Sequence, residues 1–122
     1  MPHIKPMSKV LELDTYAGEK TVLFKLVDLG DSSGPTEVRI PISIAYRLYY
    51  LGRAFDGQKI KMIKPEASTS VDFVQLQTLM SELAVVDQTV IDPVSKHYLG
   101  LLLPMLASSR RHPGCRLIVT SS

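Results

Sequence analysis

The chain has one cysteine, no tryptophan, few aromatic residues and almost no net charge. Each shortage excludes something. A single thiol, Cys115, leaves no internal disulfide, and an isolated cysteine suits a reducing compartment. A net charge of +2 is too small to imply nucleic-acid binding by itself. Nor is there a long apolar run. The most apolar late stretch, residues 99–106, is interrupted by Pro104 and is far shorter than the ~20 residues a membrane span needs. Pro2 and Pro6 stand where a secretory signal would need its apolar core, so the expectation is a cytoplasmic protein with no membrane partner.

Catalytic and cofactor signatures are also missing. Residues 30–34 lack the Lys-Ser/Thr ending of a phosphate loop and the spacing of a dinucleotide fingerprint, and no Gly-x-Ser-x-Gly elbow occurs. His3, His97 and His112 are scattered, and His112 with Cys115 supplies too few ligands for zinc. No metal, cofactor or catalytic residue is therefore expected. Cys115 has Arg110, Arg111 and Arg116 nearby, which would lower the pKa of an exposed thiol. At the head of an apolar strand, however, cysteine ordinarily acts as a small core residue.

What is present is a folding pattern. Of the 122 residues, 45% are hydrophobic and 21% charged, the balance of an ordinary globular domain rather than a disordered chain. The expectation is one α+β domain over residues 1–122, with an antiparallel sheet of about five strands and about three helices, in the order βββαβααβ. Residues 10–15 alternate as a half-buried strand, and residues 21–29 are apolar apart from Lys25 and Asp28, as in a central strand. Val38, Ile40 and Ile42 alternate next, and Pro41 confines that strand to an edge.

Ser43 is the expected cap of a first helix to about residue 55, with Ile44, Leu48, Leu51 and Phe55 on one stripe. Residues 59–64 alternate as a short strand. Thr69 with Asp72 resembles a capping box for a second helix carrying Leu76, Leu79, Met80, Leu83 and Val86. Asp92-Pro93 starts a third helix, which Pro104 should kink or divide. Residues 115–120 form a last strand that joins the N-terminal sheet.

The charge is segregated along the chain. Residues 39–64 hold Arg39, Arg47, Arg53, Lys59, Lys61 and Lys64 against Asp56 alone, whereas residues 65–95 hold Glu66, Asp72, Glu82, Asp87 and Asp92 with no Lys or Arg. Separated patches steer partners and reject wrong ones. Tyr46, Arg47, Tyr50 and Arg53 share the side of the first helix away from its apolar stripe, and tyrosine and arginine are the residue types enriched in interface hot spots. Two partner-binding surfaces follow: Glu66, Asp72, Glu82, Asp87 and Asp92 as an acidic one, and Tyr46, Arg47, Tyr50 and Arg53 as the other.

In size, α+β content and lack of catalytic residues the chain resembles the small cytoplasmic immunity proteins of bacterial toxin systems, including those of contact-dependent growth inhibition. The resemblance implies a non-enzymatic protein that binds and neutralises a toxin. A basic nuclease toxin would suit the acidic surface, which could imitate the phosphates such an enzyme binds. A second expectation is a nucleic-acid or nucleotide binder using residues 39–64. A third is an enzyme with Cys115 as nucleophile.

Overall fold

The alternation in residues 21–27 becomes strand β1 (Thr21–Val27) of the computed structural model, which describes residues 18–29, 36–55, 57–89 and 92–121. Val22, Phe24 and Leu26 turn inward to the core, where burying each such side chain is worth roughly 1.5–3 kcal/mol. β1 ends at Asp28, whose φ of 62° lies in the left-handed region that Asp tolerates better than most residues. Strand β2 (Glu37–Pro41) pairs antiparallel with β1, Phe24 opposite Val38 and Val22 opposite Ile40. As Pro41 requires, β2 lies at an edge.

Helix α1 (Ile42–Ala54) follows at once and buries Ile44, Ala45, Leu48 and Gly52. Ser43 is not its cap: it lies inside the first turn. The Ile42 N–H donates to Lys20 O at 2.9 Å, and the Glu19 carboxylate accepts from the Ser43 N–H at 3.1 Å and from the Ser43 hydroxyl at 2.8 Å. A carboxylate at this end also suits the helix dipole.

Residues 59–64 are not a strand. They form a 3₁₀ turn (Ile60–Met62), and Ile60 and Ile63, three apart, are the buried pair. Three is the period of that turn, whereas a strand would bury alternate residues.

Strand β3 (Thr69–Val71) occupies the positions expected to cap the second helix. The capping box lies three residues later: the Gln75 N–H donates to Asp72 Oδ1 at 2.8 Å and the Asp72 N–H to Gln75 Oε1 at 3.2 Å. Helix α2 (Phe73–Thr89) buries the expected Leu76, Leu79, Met80, Leu83 and Val86.

Helix α3 (Pro93–Ala107) starts as expected, with Asp92 as cap and Pro93 in its first position. Pro104 does not divide it. The carbonyl deprived of a partner belongs to Gly100, which is exposed and can be met by solvent. A 3₁₀ turn (Ser108–Arg111) leads to strand β4 (Arg116–Ser121), which pairs antiparallel with both β1 and β3.

The sheet order is β2-β1-β4-β3, so the last strand sits beside the first described one, as expected. The described residues thus give four antiparallel strands and three α-helices, rather than about five strands. Of the strands expected, residues 10–15 lie outside the described residues and 59–64 became a turn, while β3 is an addition. Val22, Phe24, Leu26, Val38, Ile40, Val71, Leu117 and Val119 belong to the same buried cluster as the inner stripes of the helices.

Candidate functional site

Helix α1 turns its apolar stripe to the sheet, and its register then fixes what faces outward. Tyr46 and Tyr50, four residues apart, stack with ring centroids 5.9 Å apart and planes 18° from parallel. Tyr49 meets Tyr50 edge-on at 5.4 Å. The Arg53 guanidinium stands 5.8 Å from the Tyr49 ring centroid, within cation–π range. Tyr50 is 56% exposed, a large fraction for a ring of this size, and Arg53 is exposed beside it. Three rings and a guanidinium therefore form one continuous patch on a packed helix.

The Tyr46 hydroxyl donates to Glu66, which lies in the segment between the 3₁₀ turn and β3. That hydrogen bond, followed by partial desolvation and the charge of the same carboxylate, pushes the phenol pKa up to about 12. The contact ties the N-terminal half of the patch to the segment at 64–67, itself closed by the Ala67 N–H on Lys64 O at 3.0 Å.

The Arg47 guanidinium pairs with Asp92 at the start of α3 and so links the two helices. Of the four residues expected on this face, Tyr46, Tyr50 and Arg53 are together and Arg47 is paired with Asp92. Tyr49 is the member that sequence reasoning left out. Its signal was the four-residue spacing to Arg53 on the same helix.

The five carboxylates of the expected acidic surface are each engaged inside the molecule. Glu66 accepts from Tyr46. Asp72 caps α2. Glu82 accepts from three successive backbone N–H groups, Gln58 at 2.9 Å, Lys59 at 3.0 Å and Ile60 at 2.8 Å, and so builds the 3₁₀ turn. Asp87 meets Lys96 at 3.8 Å, while the same ammonium donates to Asp87 O at 2.6 Å. Asp92 accepts from the Val94 N–H at 3.3 Å and the Ser95 hydroxyl at 2.7 Å in addition to Arg47. Burial opposes ionisation of Asp92, but the Ser95, Arg47 and Val94 donors outweigh it and hold its pKa below the usual carboxylate value.

The remaining carboxylates follow the same rule. Glu19 holds Ser43, Asp28 meets Arg116 at 3.3 Å and Glu37 meets Arg39 at 3.9 Å. Every carboxylate among the described residues therefore has an intramolecular hydrogen bond or a paired cation. The cations differ: Arg53, Lys59, Lys64, Arg110 and Arg111 have no carboxylate partner among the described residues.

Cys115 is buried, and its thiol donates to Ser109 O at 3.8 Å. Burial pushes its pKa up, which keeps the thiol protonated and favours the core-residue reading over the nucleophile. Among the described residues no three His, Cys, Asp or Glu side chains lie together as metal ligands would, and no helix is long and apolar enough to cross a membrane. Gly52, Phe55, Gly57, Glu82, Val85 and Val86 line a small pocket of about 80 Å³. That is well below the roughly 300–1,000 Å³ of a pocket for a drug-sized ligand. Comparison with protein-family models, with curated proteins and with solved structures returned no match.

Proposed function

We propose that this chain is a protein-binding module that engages its partner through Tyr46, Tyr49, Tyr50 and Arg53. The observation that carries this reading is the exposed ring cluster with Arg53 beside it, presented by a helix whose other face is locked in the core. Tyrosine offers a large, stiff, amphipathic contact surface, and arginine adds directional donors, so such groups dominate binding energy when a partner excludes water from them. Within this class the finer proposal is an immunity protein that binds and neutralises a toxin, in keeping with the size and α+β content the chain shares with such proteins.

The test is affinity capture from the native host with tagged wild-type chain and with Tyr50→Ala/Arg53→Ala at matched concentration. A polypeptide retained by the wild type and lost from the variant supports the module. A chain that stays monomeric and partnerless at micromolar concentration overturns it. The immunity proposal further requires that the captured protein be toxic when expressed alone and harmless when co-expressed with the wild-type chain, but not with the variant.

A second reading, single-stranded nucleic-acid binding, draws on the near-parallel Tyr46 and Tyr50 rings, which suit base stacking, and on the cations that have no carboxylate partner among the described residues. It requires binding that weakens steeply with added salt. A flat anisotropy titration with labelled single-stranded DNA and RNA at low salt removes it.

A further inference from the structure

The sign of the charge left free at the candidate face says what kind of partner it fits. The acidic run along the sequence pointed to a basic partner. In the fold, however, those carboxylates hold helix starts, a turn and neighbouring side chains. A basic partner would have to compete with these bonds for each carboxylate.

Not all of the positive groups are engaged in this way among the described residues. Arg53 stands at the C-terminal end of the ring cluster, in contact with Tyr49 and without a carboxylate among the described residues. Lys64 is exposed, two residues before the Glu66 that holds Tyr46 at the other end. From Tyr46 to Arg53 along the helix is about 10 Å at 1.5 Å per residue. Among the described residues the carboxylate at this face is Glu66, which already accepts from a tyrosine. A negatively charged partner thus meets a guanidinium that has no carboxylate among the described residues, while a positively charged one has to share Glu66 with a tyrosine.

We propose that the partner presents an acidic segment to the Tyr46/Tyr49/Tyr50/Arg53 face, with apolar side chains on the rings and a carboxylate paired to Arg53. This rests on the protein-binding reading above and specifies its partner. A planar guanidinium already held against a ring can donate two parallel hydrogen bonds to a carboxylate without giving up its stacking. Neighbouring rings shield that pair from water, which strengthens it relative to an open surface pair.

The test selects a phage-displayed library of random twelve-residue peptides on the full chain, with counter-selection on Tyr50→Ala/Arg53→Glu. The best clone is made as a labelled peptide and titrated against the wild type, Arg53→Gln and Arg53→Glu. A labelled 20-residue oligo(dT) is titrated in parallel, and far-UV circular dichroism checks that every variant is folded. The expected result is face-dependent clones with net negative charge, binding at least tenfold weaker to Arg53→Glu than to the wild type, with Arg53→Gln in between. Face-dependent clones that are neutral or basic overturn the acidic partner but leave a protein-binding face. Absence of any face-dependent clone overturns both. Oligo(dT) binding that is lost in Arg53→Glu also overturns the proposal, by assigning the face to nucleic acid.

Discussion

Gly52→Ala should destabilise the protein, although replacing a helix-interior glycine with alanine ordinarily gains about 1 kcal/mol. The reason is steric. Gly52 is buried in α1 against Ile60, whose side chain is wholly inside the core. A Cβ on residue 52 would stand 2.5 Å from Ile60 Cδ1, 2.8 Å from Cγ1 and nearer still to Cγ2. Cγ1 and Cγ2 both hang from the Ile60 Cβ, so a χ1 rotation that withdraws one brings the other forward. The backbone cannot retreat freely, because the Ile60 N–H is held by Glu82 at 2.8 Å. Inserting a methyl into a packed core costs typically 1–3 kcal/mol; contacts this close put the substitution in the upper part of that range, about 2–3 kcal/mol, and the propensity gain offsets about 1 of these, leaving a net loss of about 1–2 kcal/mol. For a domain of this size that is a fall of roughly 4–8 °C in Tm. Urea unfolding followed by circular dichroism, with calorimetry alongside, reads both quantities. Ile60→Val removes Cδ1 at its own cost of about 0.5–1.5 kcal/mol. The double variant should then be less damaged than the sum of the singles by at least ~0.5 kcal/mol, as expected for residues in contact. A Gly52→Ala protein as stable as the wild type, or more so, would refute the steric account.

Three further perturbations test the polar framework. Glu82→Ala removes the acceptor of three backbone N–H groups and should cost about 2–4 kcal/mol, with faster amide exchange at Gln58, Lys59 and Ile60; unchanged protection there would contradict the assigned role. Asp92 has a folded pKa below its unfolded value, so its contribution is present above about pH 4 and is lost as pH falls through the lower folded value. Asp92→Asn should flatten this part of the acid limb in urea midpoints measured from pH 6 to pH 3, and an unaltered limb would count against it. Tyr46 has its pKa raised to about 12, so the stability it lends is present below about pH 10 and is lost as pH rises from there towards 12. Absorbance titration of the wild type minus Tyr46→Phe should show a midpoint near 12, moving down in Glu66→Gln; a wild-type midpoint near 10 would show that the Glu66 contact is not made.

The apolar periodicities carried most of the fold. Val22, Phe24 and Leu26 could face only one way in a strand, and Leu76, Leu79, Leu83 and Val86 only one way on a helix. Asp92-Pro93 marked a helix start by chemistry local enough to be legible. The misses share a cause, namely a deciding group distant along the chain. Residues 59–64 alternate as a strand would, but the turn is imposed by Glu82, 22 residues beyond Ile60. Ser43 has a capping side chain, yet the acceptor that matters is Glu19, 24 residues before it. The Arg47 side chain is engaged by Asp92, 45 residues beyond it, a pairing that helix periodicity alone does not reveal. Thr69–Val71 is too short to declare itself a strand; it exists because β4 offers an unpaired edge.

The acidic run illustrates how charges clustered along a chain can be taken up by local structural tasks. Residues 65–95 contain the starts of two helices and the carboxylate that organises a turn. The first N–H groups of a helix lack partners within it, and the dipole there favours a negative group. Asp72 and Asp92 stand just before α2 and α3 because such positions favour an anion. Two of the five carboxylates in the run therefore record helix starts. No equivalent demand falls on Arg53, whose guanidinium rests on a ring and points no donor at a carboxylate among the described residues. The two kinds of charge should separate experimentally: neutralising Asp72 or Asp92 lowers Tm and affects binding only through the fold, whereas Arg53→Gln leaves Tm nearly unchanged and weakens the partner directly. A scan in which Arg53→Gln melts early, or Asp92→Asn binds poorly at full stability, would reverse that assignment.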